Sequence, residues 1–242
     1  MPEAVPPPAA SQAAAAGSAG DVKVDWRTRI FTSPLFFRLW CAQVVSSIGD
    51  WIGLLAIAAA AQRIGAGNGE TAIALVMTAR IAPGLFLAPV AGVLVDRWDR
   101  KKVMVFCDIG RAGTLALLPF ITQVWQLLIA SLVLEALTMM WSPAKEATVP
   151  NLVPADKLTT ANSLSMVAAY GTFPVAALLF SVLAEVATGL SSFEALEWMG
   201  IRQESVAFWF DTVTFLVAAA IIWRLPLPRT TRTERTAEHR DE

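Results

Sequence analysis

Residues 92–104 read GVLVDRWDRKKVM. An apolar run ends at Val95, the next seven residues include Asp96, Arg97, Asp99, Arg100, Lys101 and Lys102, and at Val103 the chain turns apolar again. A short, charge-dense loop between long apolar runs is the pattern of a chain that leaves a bilayer and re-enters it. The composition agrees: the 242 residues are 55% hydrophobic and only 16% charged, more apolar surface than a soluble domain of this length needs for its core.

Working outward from this loop, the chain divides into apolar segments long enough to cross about 30 Å of hydrocarbon, which takes about 20 helical residues. They run from Phe36 to Ala61, Thr71 to Val95, Val103 to Ile121, Val124 to Thr148, Leu158 to Ala187 and Ser205 to Trp223. The runs are continuous and do not alternate, so helices are expected and not strands. Six spans put both termini on one side of the membrane. The flanks on that side carry Lys23, Arg27, Arg29, Arg38, Arg97, Arg100, Lys101, Lys102, Lys145, Lys157, Arg224, Arg229, Arg232, Arg235 and Arg240, whereas the opposite flanks carry only Arg63 and Arg202. This asymmetry predicts cytoplasmic termini.

The opening stretch MPEAVPPPAASQAAAAGSAG lacks a cationic start followed by an apolar core, so it does not read as a secretory signal. The expected organisation is a disordered Pro/Ala-rich cytoplasmic segment (1–25), a transmembrane domain (26–225) and a basic cytoplasmic tail or start of a linker (226–242). Cys41 and Cys107 lie in apolar stretches and read as packing residues, and the single histidine, His239, is in the tail. With no metal-ligand cluster, no nucleophile–base set and no phosphate-cradling glycine loop, neither an enzyme nor a metal or cofactor protein is expected, and no nucleic-acid partner is expected either.

Several polar residues lie inside the spans, where an unpaired charge costs about 2.5–3.5 kcal/mol on insertion scales and so points to a partner or a watery cavity. Gln43, Ser46, Ser47 and Asp50 form a polar stripe on the first helix, flanked by Gly49 and Gly53, which permit close helix packing. Asp50 lies about 20 Å from the cytoplasmic end and Arg80, on the second helix, about 24 Å, at 1.5 Å per residue. Consecutive helices are usually neighbours, so an Asp50–Arg80 pair is expected. On the third helix Asp108 and Arg111, three residues apart, share a face. Glu135 on the fourth sits at a depth similar to Arg111 and is expected to be its structural partner. These charges read either as ion pairs that fix helix register or as a proton or substrate pathway, with Asp50 the favoured proton or cation-substrate site. Asp211 lies close enough to the outer surface to snorkel. Pro83, Gly84 and Pro89 are expected to interrupt the second helix, and Gly171 and Pro174 the fifth. LAPVAGVLVD (87–96) and TFPVAALLFS (172–181) share a Pro-Val-Ala step.

GVLVDRWDRKKVM resembles the signature loop between the second and third helices of the major facilitator superfamily. Gly92, Asp96, Arg97, Arg100 and Lys101 match it, and Asp99 stands where many members have glycine. SPAKEATVPNLVPADKLTTANSL (142–164) resembles the fourth-to-fifth helix junction of the macrolide-efflux-like and enterobactin-exporter-like drug/proton antiporters, and SSIGDW (46–51) and FDTVTFLVAAAIIWRLP (210–226) extend the likeness over about residues 35–226. The resemblance implies an all-α polytopic fold of six transmembrane helices, built as two inverted three-helix repeats that make helices two and five equivalent: one half of a twelve-helix transporter. It implies a bacterial plasma-membrane location, and export of small amphipathic molecules, drug- or siderophore-like, in exchange for protons. It also implies that the loop residues latch helices in one conformation, with the neighbouring arginines holding Asp96 at a helix C-terminus, where the dipole disfavours an anion. Half a rocking pair cannot alternate access alone, so the expected partner is a second six-helix half: part of a longer chain, a separate chain or a second copy. The alternative is a non-transporting membrane scaffold or regulator that acts by helix packing.

Overall fold

The computed structural model describes residues 30–31, 33–95, 98–191 and 202–227. The expected N-terminal extension, Asp96 and Arg97 of the signature loop, residues 192–201 and the tail from 228 onward lie outside the described residues. Seven α-helices follow one another, α1 (Pro34–Ile64), α2 (Gly69–Val95), α3 (Arg100–Leu117), α4 (Val124–Thr148), α5 (Leu158–Tyr170), α6 (Phe173–Ser191) and α7 (Ser205–Trp223), with no strand among the described residues. Local chemistry sets where several begin. Ser33 precedes Pro34 and accepts from the amide of Leu35 at 3.2 Å, which places proline where its missing N–H is not needed. Asp99 caps α3, accepting from the amides of Lys101 and Lys102 at 3.0 and 3.2 Å. Gln123 and Gln126 form a reciprocal capping box at the start of α4.

Five stretches of the described residues are long and apolar enough to cross a membrane: Pro34–Ile64, Arg100–Phe120, Val124–Asn151, Ala155–Ser191 and Ser205–Trp223. Helix α2, of 27 residues, occupies the place of the second expected span. Large apolar side chains point outward along the bundle, among them Ile81, Phe86, Phe106, Leu117, Leu178 and Trp223. Such a surface suits lipid and not water. The chain forms an all-α polytopic membrane fold.

Contrary to expectation, Pro83 and Pro89 do not interrupt the second helix. Helix α2 runs unbroken through Pro83 and Pro89, and α4 through Pro143; neighbouring helices in a bundle absorb a single lost backbone bond. The fifth span alone breaks, into α5 and α6 at Gly171 and Thr172. Pro174 has no N–H to offer the carbonyl of Tyr170, and the carbonyl of Ala169 accepts a bond from Trp51 Nε1 at 2.8 Å.

Helix α1 packs mainly on α7, α3 on α7 and α4, and α2 on α4, while α5 and α6 lie against α1. Exchanging α1 with α4, α2 with α5/α6, and α3 with α7 turns these pairings into one another: α1–α7 becomes α4–α3, and α2–α4 becomes α5/α6–α1. The strongest pairings thus repeat between the two halves of the chain. Its core lies in two clusters, one around Phe36, Leu39, Met104 and Ile222 and one around Ile52, Ile57, Leu127 and Phe208.

At one end of the bundle the basic residues that open α3 close the ends of two other helices. Arg100 Nη1 donates to the carbonyl of Ala147 in the last turn of α4 at 2.5 Å. Lys101 Nζ donates to the carbonyl of Leu225, just past α7, at 2.7 Å. Both cations meet the negative end of a helix dipole. Arg100 was expected to neutralise Asp96; the bond described for it goes to a backbone carbonyl. At the other end Arg63 and Glu204 form an ion pair with N–O 2.6 Å.

Candidate functional site

The two core clusters are separated along the bundle by a belt of charge. At its centre is Arg111, 2% exposed. One guanidinium nitrogen reaches Asp108 Oδ1 at 2.5 Å and the other reaches Asp50 Oδ2 at 3.4 Å. Its carbon lies 4.2 Å from the ring centre of Phe215 and 5.4 Å from that of Trp141, close enough for cation–π attraction. Four helices thus contribute to one cation: α1 gives Asp50, α3 gives Asp108, α4 gives Trp141 and α7 gives Phe215.

The expected pairing is corrected here. Asp50 pairs with Arg111 and not with Arg80, which forms no ion pair among the described residues. Glu135 is not a direct partner of Arg111; the cation acting on it most strongly is Arg80. The rule that consecutive helices are neighbours assigned Arg80 to Asp50. Instead α2 packs chiefly on α4, which carries Glu135, while α1 and α3 share α7 as a neighbour.

Beside the belt opens a cavity of about 930 Å³. Its wall carries Gln43, Ser46, Ser47 and Asp50 from α1, Arg80 from α2, Arg111 from α3 and Glu135 and Lys145 from α4. The polar stripe read on the first helix is therefore one wall of a cavity, whose apolar lining includes Trp51, Trp141, Met166 and Tyr170. Gln43 is held at both ends: its Nε2 donates to the carbonyl of Ser165 at 3.1 Å and its Oε1 accepts from Lys145 Nζ at 3.5 Å. Asp108 lies behind the wall, wholly buried. Asp50, with its side chain 32% exposed, is the acid that touches both the cavity and the buried arginine.

Arg111 Nε is buried without a hydrogen-bond partner among the described residues, and the indole of Trp141 faces the Asp108 carboxyl. Buried polar atoms in native proteins are nearly always bonded, and exceptions gather where function uses them.

Lys145, Trp141 and Asp211 are the members sequence reasoning missed. Lys145 stood among the loop cations, yet it is 8% exposed and reaches Gln43. Asp211 was placed near the surface, but it is 1% exposed and sits on Gly49 and Gly53 of α1. The available signal was the spacing Gly-x-x-x-Gly, which marks a close approach of some neighbour. Of the signature-loop residues, Gly92 belongs to α2, Arg100 and Lys101 bind helix ends as described, and Asp96 and Arg97 lie outside the described residues.

Comparison with known proteins adds to this geometry. The family model for the Major Facilitator Superfamily matches residues 39–241. The chain is 33% identical over 130 residues to YfiS, an uncharacterized MFS-type transporter of Bacillus subtilis, covering 53% of this chain and 31% of that protein. It is 34% identical over 159 residues to macrolide efflux protein A of Streptococcus pyogenes, covering 61% of this chain and 38% of that protein. A second Bacillus subtilis MFS-type transporter, YkuC, is 27% identical over 207 residues, covering 84% and 44%. The chain thus spans less than half the length of these relatives. No solved structure matches it.

Proposed function

Because the chain belongs to the major facilitator superfamily and resembles its macrolide-efflux branch, we propose that it is the N-terminal six-helix half of a proton-coupled exporter of small amphipathic molecules in a bacterial plasma membrane. The observation that carries this reading is the position of Asp50. It is the acid where an open cavity meets a buried ion pair, so a change in its charge alters what holds Arg111. A group that exchanges a proton with the cavity while bonded to a buried cation can couple protonation to helix arrangement. In this reading Asp50 carries the coupling proton or meets a cationic substrate. Arg111 is the switch partner, with Asp108 as its fixed anchor. Gln43, Arg80 and Glu135 line the path.

The apolar walls at Trp51, Met166 and Tyr170 suit a substrate with a large non-polar body. A second six-helix unit, in the same longer chain, a separate chain or a second copy, faces the cavity and completes it, which fits the share of the relatives' length that this chain covers. Arg100 and Lys101, with Gly92, Asp96 and Arg97, act as the conformational latch. Arg100 and Lys101 tie the start of α3 to the ends of α4 and α7, so breaking those bonds frees the helices to move. Both termini face the cytoplasm, the side on which the basic flanks collect.

The test is accumulation of a fluorescent amphipathic amine in energised bacterial cells that produce the complete assembly. Accumulation should fall below that of control cells and return on adding a protonophore. Accumulation equal to that of control cells, with the protein shown at the membrane, contradicts the reading.

A further inference from the structure

Asp211 lies beside the pathway described above but was given no role in it. It lies on α7, 1% exposed, with no ion pair to a cation among the described residues. Its carboxyl spans the groove between two glycines of α1. A Cβ built on Gly49 would collide with its Oδ1, and one built on Gly53 with its Oδ2. The two helices therefore meet through a carboxyl laid across Gly-x-x-x-Gly, where side chains would otherwise hold them apart. The charged groups that face it are Asp50 on α1, Arg111 on α3 and Arg80 on α2, with Asp50 acting most strongly. The crevice it shares with Asp50, Gly53 and Arg80 has no room for a water molecule.

The contacts of Thr214 bear on the protonation of Asp211. Thr214 Oγ1 lies 2.7 Å from the backbone carbonyl of Asp211 and 3.0 Å from its Oδ1. A hydroxyl has one hydrogen to donate and two lone pairs to accept with. If that hydrogen goes to the nearer carbonyl, the contact with Oδ1 needs a hydrogen from the carboxyl. An ionised Asp211 would leave two oxygens sharing one hydrogen, in a dry site beside the like charge of Asp50, and a buried carboxylate so poorly paired is costly.

We propose that Asp211 holds a proton in this conformation, donated to Thr214 Oγ1, and that it is a second proton site of the transporter, released when α7 separates from α1. The proton leaves as H⁺, the carboxyl becomes carboxylate, and the acceptor is Asp50 or water of the cavity that Asp50 borders. The proposal extends the proton-coupling reading, but its test does not depend on transport.

The test is infrared spectroscopy of the purified full chain in lipid nanodiscs at neutral pH, reading the C=O stretch of protonated carboxylic acids. A buried acid band should be present in the wild type and absent in Asp211→Asn. The same band should shift in Thr214→Val, which removes only the bonded hydroxyl and keeps the shape, so it serves if Asp211→Asn does not fold. No acid band in the wild type, or a band unchanged in the folded variants, overturns the proposal. A band that behaves as expected in a protein without proton-driven export would leave Asp211 protonated and remove the coupling role, so the two failures are distinguishable.

Discussion

Arg111 meets two carboxylates and two aromatic rings although it is buried inside a membrane bundle. Removing one partner from a buried charge pair leaves the other uncompensated, at a cost of about 3–5 kcal/mol. Arg111→Leu should therefore strongly lower the thermal unfolding temperature in detergent, and Arg111→Leu/Asp108→Asn should recover a large part of the loss, because the stranded anion is gone. Equal destabilisation by the single and double variants would contradict this pairing. At this scale the sequence was informative about membership and about the Asp108–Arg111 pair within one helix, and uninformative about partners across helices. Asp50, Asp108, Arg111 and Glu135 each stood out as charge within an apolar run. Who pairs with whom across helices depends on which helices touch, and chain order does not tell that α1 and α3 both pack on α7. Asp211 escaped notice because depth along a helix does not tell whether the facing helix carries a side chain. Gly49 and Gly53 carry none.

Among the elements, the start of α3 joins the ends of two other helices. Lys101 reaches the carbonyl of Leu225 and Arg100 that of Ala147, while Lys102 is exposed and its side chain makes no hydrogen bond among the described residues. Each bond from a half-exposed cation to a helix end is worth about 1 kcal/mol. Arg100→Gln and Lys101→Gln should each lower the unfolding temperature by a few degrees, and Lys102→Gln should leave it in place. The same loss in all three variants would mean that loop charge matters and the bonds do not. The basic cluster could be read as an anchor from its sequence, but its targets could not, since both are backbone carbonyls more than 40 positions away. Helix boundaries were closer to reading. The break in the fifth span falls at Gly171, as the Gly and Pro spacing suggests, whereas Pro83 and Pro89 leave α2 continuous.

For the whole molecule, apolar run lengths were enough for an all-α membrane fold. Arg100 beside Ala147 places the start of α3 and the end of α4 at one end of the bundle, with the Arg63–Glu204 pair at the other. Reporter fusions at Gly67, Lys101, Asp156 and Ser192 should read outside, inside, inside and outside. A cytoplasmic signal at Ser192 would overturn the six-span topology. The most direct test of the central claim, that Asp50 links the cavity to the buried arginine as the coupling acid, is transport by the complete assembly in proteoliposomes with and without an imposed pH gradient. Asp50→Asn should retain downhill substrate exchange and lose uphill accumulation driven by the gradient. If Asp50→Asn concentrates substrate against its gradient as well as the wild type does, Asp50 is not the coupling acid.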